Sequence, residues 1–210
     1  MTQATQQTAL EFIAAANDAC DTRIAYEALK NVDNESIKSK LNAIRKTLTN
    51  EKIASVLIAC SYDVANMNTQ ERVSNRRNVY AIQKEMNAAQ FIAVAASLNH
   101  YSLAIFKTAL ALETATFALT HATARAACSV DVKTSVAAQQ SIVIKNRYAK
   151  HIDASTASTQ SSSSINALQA LNVFVESRNA ANEIEYRINR TSHAAIEIAK
   201  RLELSLEIAS

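Results

Sequence analysis

The side chains with the densest capacity for chemistry lie in one short run, TASTQSSSSINALQAL, residues 156 to 171. Its hydroxyls and amides sit on short stems, and each can both donate and accept a hydrogen bond. Covalent chemistry is poorly provided for. His100, His121, His151 and His193 are scattered, with no partner histidine four residues away and no cysteine at ligand spacing, so no zinc set is indicated. Cys20, Cys60 and Cys128 are widely spaced among apolar residues and are expected as buried, reduced thiols. A chain without glycine has neither a Gly-rich phosphate loop nor a nucleophile elbow. Glu183 and Glu185 share one face of an alternating segment, where they mark solvent rather than an acid pair. The sequence therefore points to a binding protein rather than an enzyme, with no cofactor and no metal.

The elements that must position the polar run are mostly helices. The 210 residues are 49% hydrophobic, enough to bury a core, and contain 40 Ala but no Gly, Pro or Trp. Helix interiors exclude Gly and Pro, which accounts for part of that composition. Complete absence also suggests a reduced amino-acid alphabet, natural or designed. Asparagine, which tolerates positive φ, should then take over at breaks: Asn31, Asn34, Asn50, Asn66, Asn99, Asn172, Asn179 and Asn182. Apolar residues at Ile37, Leu41, Ile44 and Leu48, and again from Ile53 to Met67, recur at spacings of three and four. Helices are expected at about 8–30, 35–48, 51–66, 70–97, 100–119 and 121–128, with a short one over IVIKNRYAKHI.

After residue 171 the period changes. Ile184, Tyr186 and Ile188 alternate with Glu183, Glu185 and Arg187, the two-residue period of a half-buried strand. With NVFVES before it and the polar RNAAN between, the pair reads as a β-hairpin. A final helix is expected from Ser192 to Ala209, with Ile198, Leu202 and Leu206 on one side. Taken as a helix, the polar run puts Ala157, Ser161, Ile165, Leu168 and Leu171 near one face. Thr159, Gln160, Ser162, Ser163, Asn166 and Gln169 then fall on the remaining surface.

The order of helix NRYAKHI, turn DAS, polar helix, strand NVFVES, loop RNAAN and strand EIEYRI resembles a winged helix-turn-helix DNA-binding domain over residues 133 to 190. ALQALNVFVES is similar to that family's passage from recognition helix to wing strand, with Asn172 where glycine is common. The resemblance implies that the polar helix enters a major groove, where short hydroxyls and amides reach base edges or phosphates. Ser155, Thr156, Ser158, Thr159, Gln160, Ser162, Ser163 and Asn166 are its candidate contacts. It would also place Lys145, Arg147 and Lys150 near the DNA backbone and Arg178 at the wing tip. The expected recognition helix carries no Lys or Arg, a departure that leaves affinity to flanking charges. The competing view is that SSSS is a flexible linker, or that helix and hairpin are purely structural.

Charge is compatible with a nucleic-acid partner. Residues 65 to 190 hold 13 basic against 8 acidic residues, while the whole chain is only +3. Arg72, Arg76 and Arg77 lie on the helix expected over 70–97, Arg72 and Arg76 on one face. They are a solvated surface or a secondary DNA contact. No apolar run approaches the roughly 18 residues of a membrane span, and the start MTQATQQT lacks the regions of a signal peptide. The expected protein is cytoplasmic, with no membrane partner.

The expected fold is mainly α: a multi-helix region over 1–130 suited to oligomerisation, a winged-helix-like domain with one short β-hairpin over 131–190, and a C-terminal helix over 191–210 whose apolar stripe would serve a homodimer. The expected function is non-catalytic DNA binding, as a transcriptional regulator or a replication or segregation accessory factor. The alternative is an Ala-rich helical assembly protein, such as a filament, shell or virion component, that binds no nucleic acid.

Overall fold

Where a chain without glycine ends a helix in the left-handed backbone, it must do so on a residue that resists that conformation, and much of the fold's detail follows from where it does so. The computed structural model describes the backbone of residues 3–30, 35–68, 70–72, 75–76 and 78–207, and the side chains of these residues other than 3–7, 70–72 and 75–76. The chain is mainly helical, with a small three-stranded antiparallel sheet near its C-terminus. It divides into two compact units, Met1–Ala96 and Ser97–Ser210. The boundaries expected from the sequence lie at 130/131 and 190/191.

The first unit contains α1 (Gln3–Lys30), α2 (Glu35–Leu48), α3 (Glu51–Ala59), a 3-10 turn (Val64–Asn68), β1 (Gln70–Arg72), β2 (Asn75–Arg76) and α4 (Val79–Val94). The bounds of α2 are those its periodicity predicts, and Leu41, Ile44 and Leu48 are its buried stripe. Asn50 starts α3 by accepting from the N–H groups of Lys52 and Ile53, which would otherwise lack partners. Two expectations change here. The helix expected over 51–66 stops at Ala59, and the 3-10 turn that follows carries Met67 into the core. Buried Arg23 meets that turn, donating to Met67 O at 2.5 Å and to Glu27 Oε1 at 2.8 Å. The helix expected over 70–97 begins only at Val79, because Asn78 caps it through Tyr80 N–H. Ahead of that cap, Gln70 pairs with Arg76 and Arg72 with Asn75 in an antiparallel ladder. Within the same core, Tyr62 Oη donates to Glu85 Oε2 at 2.6 Å, tying the end of α3 to α4.

The second unit runs α5 (His100–Thr114), β3 (Leu119–Thr120), α6 (His121–Ala127), α7 (Ala137–Asn146), α8 (Ala154–Ala170), β4 (Phe174–Arg178), β5 (Ile184–Ile188) and α9 (His193–Arg201). The expected hairpin is present: Phe174 pairs with Ile188 through to Arg178 with Ile184. A third strand joins it, Leu119 opposite Tyr186, so the sheet order is β3-β5-β4. Two residues are too short a segment to carry a readable period. Helix α8 packs against α5, α6 and β4, and α7 against α5 and α6. The buried Glu113 carboxylate, at the end of α5, accepts from Ile188 N–H and from Arg190 Nη2, both at 2.5 Å.

The expected helix over IVIKNRYAKHI is displaced. α7 begins earlier and ends at Asn146, because Arg147 is extended at φ −68°, ψ 158°. The residues that follow bond back to the α6–α7 connection: Tyr148 N–H to Ala127 O at 2.8 Å, and Ser129 Oγ to Ile152 O at 2.8 Å. α9 likewise stops at Arg201 rather than Ala209. Ile198 is buried within its own unit and Leu206 lies beyond the helix, so the stripe expected for a dimer contact is not formed.

Four helix ends share one geometry. Ser61, Thr116, Asn172 and Glu203 have φ between 54° and 65°. The next residue's N–H, on Tyr62, Phe117, Val173 or Leu204, returns five residues to Leu57, Leu112, Leu168 or Ala199 at 2.8–2.9 Å. Ala95 ends α4 in the same left-handed region. Asparagine takes positive φ at Asn172 and Asn182 only, among the described residues. Asn50 and Asn99 start helices instead, and Asn66 lies in the 3-10 turn. Asn179 shapes the hairpin loop by accepting from Ala181 and Glu183 N–H groups. Asn31 and Asn34 fall outside the described residues. The three cysteines are buried thiols outside any disulfide, and burial pushes the Cys60 thiol up to about 12.

Left-handed backbone costs an L-residue roughly 1–2 kcal/mol, most severely one that is β-branched. Thr116→Gly is therefore expected to stabilise the protein by about 1 kcal/mol after glycine's larger unfolded-state entropy is included. Urea unfolding checks this, and a lower midpoint would show that Thr116 is not under strain. Glu113→Ala should cost about 3–5 kcal/mol by leaving Arg190 and the Ile188 N–H without their acceptor. The same unfolding curve reads that loss.

Candidate nucleic-acid interface

The polar run forms α8, so it is not a linker. Asp153 starts the helix: Thr156 donates to it from its hydroxyl at 2.7 Å and its backbone at 2.9 Å. These Thr156 hydrogen bonds hold the Asp153 carboxyl below the usual carboxylate range. Thr156 is thereby committed to the cap. The apolar face is as expected, with Ala157, Ser161, Ile165 and Leu168 buried.

The exposed side is narrower than the sequence implies. Ser155, Ser158 and Thr159 are exposed, while Gln160, Ser162 and Asn166 are half-buried. Ser163 is only 6% exposed, and its hydroxyl donates to Thr159 O at 2.8 Å and Gln160 O at 3.2 Å. It does not lie on the outer surface where the helical projection put it. With α5 and α6 both against the helix, a wider arc is covered than one stripe, and Ser164 is buried too. Small hydroxyl side chains that satisfy themselves on the helix backbone permit that close approach.

A cleft of about 290 Å³ opens beside the exposed half, lined by Ser158, Ser161 and Ser162 of α8 and His121, Ala122 and Arg125 of α6. Thr120 and Thr123 close a reciprocal cap that fixes the start of α6. The His121 ring stands edge-on to Tyr186, with His121 Nε2 2.8 Å from the Tyr186 hydroxyl. Burial, assisted by the Glu176 carboxylate, pushes Tyr186 up to about 12, so that hydroxyl stays protonated through the neutral range. Arg125 is exposed on the cleft wall. In the sequence His121 stands only as one of four scattered histidines, and Arg125 belongs to no motif. Their four-residue spacing in HATAR, which puts both on one face, was the available signal.

The expected cationic contacts are distributed. Lys145 is exposed in the last turn of α7, and half-buried Arg147 donates to Val130 O at 3.3 Å. Both line a different cleft from the serines. Lys150 is exposed, with its carbonyl fixed by Val130 N–H at 3.2 Å. Arg178 ends β4, exposed, and bridges the hairpin loop to Asn182 O at 2.8 Å. Arg72 and Arg76 lie on paired strands rather than one helix face, and Arg77 lies outside the described residues. No group of three or more His, Cys, Asp or Glu among the described residues could hold a metal ion. No helix among them is long and apolar enough to cross a membrane.

No family model, curated protein or solved structure matches the chain.

Tyr186 carries a pH signature. A hydroxyl whose folded pKa lies above its ordinary value near 10 contributes stability fully below that pH, lost as pH rises toward about 12. Tyr186→Phe should remove that part of the alkaline decline. Unfolding midpoints measured from pH 8 to 11 test it, and an unchanged slope would mean Tyr186 ionises freely.

Proposed function

We propose that residues 97–210 form a winged-helix-like module that binds duplex DNA without catalysis. The observation that carries this reading is the exposed N-terminal half of α8, presenting Ser155, Ser158 and Thr159 beside Arg125, directly ahead of a hairpin with Arg178 at its end. The element order α5, β3, α6, α8, β4, β5 and the strand order β3-β5-β4 support it. On this reading the module begins at α5, and α7 is an extra helix between α6 and α8.

The reading gives each group a task. The first turns of α8 enter the major groove, where hydroxyls hydrogen-bond base edges and phosphates. Arg125 supplies from α6 the cation that α8 lacks, and Arg178 meets a phosphate or the minor groove beside the wing. Ser163 drops out as a direct contact, because its hydroxyl is spent on the helix. A regulator or a replication or segregation accessory factor, cytoplasmic and dimeric on two half-sites, fits this chemistry. With Ile198 internal, the dimer contact belongs to surfaces other than α9. The buried serines of α8 equally favour close helix packing, as in an assembly protein, and solution mass separates the two.

Anisotropy of labelled duplexes at two salt concentrations is the test. Arg125→Ala should weaken binding to every sequence and lower the salt slope by about one. Ser158→Ala with Thr159→Ala should change site preference more than overall affinity, and Ser163→Ala should change neither. Absence of duplex binding at low salt, with species larger than a dimer, overturns the reading in favour of assembly.

A further inference from the structure

The second unit has another concavity, of about 290 Å³, built where α5 meets the end of α7. His100 and Lys107 come from α5, and Lys145, Arg147 and Tyr148 from the end of α7 and the connector after it. The α5 residues His100, Leu103 and Lys107 share a face by their spacing of three and four. The carboxyl end of α7 favours cations in its last turn, which holds Lys145 there.

We propose that this cleft is a binding site for a phosphate group, a site separate from the α8 surface. Two lysines and an arginine line it, and no Asp or Glu does among the described residues. In the same unit Arg190 is paired with Glu113, Arg187 with Glu185 and Lys200 with Glu197. Gathering like charges in one hollow raises the free energy of the empty protein, and a polyvalent anion relieves it. Concave low-dielectric walls increase that attraction.

The walls are held in place before any ligand arrives. Arg147 is fixed by its bond to Val130 O, and its backbone N–H donates to Val143 O at 2.8 Å. Tyr148 is stacked on His100, with ring centroids 5.4 Å apart, and meets Tyr101 edge-on at 5.1 Å. Its N–H is anchored to Ala127 O. A cleft with fixed walls loses little entropy on binding. The phosphate could belong to a small phosphorylated ligand or to a nucleic-acid backbone, and the chemistry of recognition is the same for both.

The experiment uses the full chain, inorganic pyrophosphate against chloride at matched ionic strength, and the variant Lys107→Gln with Lys145→Gln. Both lysines lie outside the buried core, so the variant should melt near the parent temperature without ligand. Pyrophosphate should raise the parent's melting midpoint by about 2–4 °C and leave the variant's unchanged. Duplex binding by the variant then names the source. Unchanged DNA affinity assigns the cleft to a free phosphorylated ligand, and a fall assigns it to the DNA backbone; both uphold the site. No shift in the parent, or an equal shift in the variant, overturns it. Failure of the DNA reading is visible separately, as absence of duplex binding by parent and variant alike.

Discussion

The carboxylate of Glu113 fixes the second unit. It lies at the end of α5, nearly enclosed, and its two oxygens hold the backbone of Ile188 and the guanidinium of Arg190. β5 is the central strand, so fixing Ile188 also fixes β3 through Leu119 opposite Tyr186 and β4 through Phe174 opposite Ile188. The turn after α8 leads directly into β4, and Asn189 N–H bonds Val173 O at 2.8 Å just before that strand. Glu113 thus anchors the sheet that the end of α8 leads into, while α5 and α6 pack along the helix itself. A charge so enclosed is tolerated only with both oxygens occupied by donors.

The second governing constraint is the missing glycine. Five helices end on Ser61, Ala95, Thr116, Asn172 and Glu203, all in the left-handed region. In four of them the residue that follows is large and apolar, Tyr62, Phe117, Val173 or Leu204, and lies buried or half-buried. Burial of that residue, with its returning hydrogen bond, offsets the backbone cost. Helix length in this chain is thus decided by tertiary packing at the stop, where most chains rely on the local preference of glycine.

That mechanism explains what was legible. α2 could be read to the residue because its stripe and its terminal spacing are local. The buried face of α8 and the alternation of β5 were legible for the same reason. The ends of α3, α5 and α9 were not, since a Ser, Thr or Glu carries no local sign of positive φ; the cue was the apolar residue after it. β3 is two residues long and exists only by pairing with β5. β1 and β2 are only three and two residues long, and the arginines there, spaced as on a helix, point to the wrong period. Ser163 was misplaced because a helical wheel assumes one covered face, whereas α8 has neighbours on α5, α6 and β4.

The run of four serines consequently serves two ends at once. Ser161, Ser163 and Ser164 are buried, where their small volume lets backbones approach. Ser162 lines the cleft with Ser158. Larger polar side chains at the buried positions would hold α8 away from α6, moving Ser158 and Ser162 away from Arg125. Keeping the run short and polar is thus a geometric requirement of the cleft as much as a chemical one. It also limits what the surface can do: hydroxyls accept and donate without preference, so they discriminate bases weakly, and Arg is the side chain suited to bidentate reading of guanine. On the proposed DNA-binding reading, such a surface draws its affinity from Arg125 and the surrounding cations and much of its selectivity from how well a duplex fits the shape between α8 and the β4–β5 hairpin.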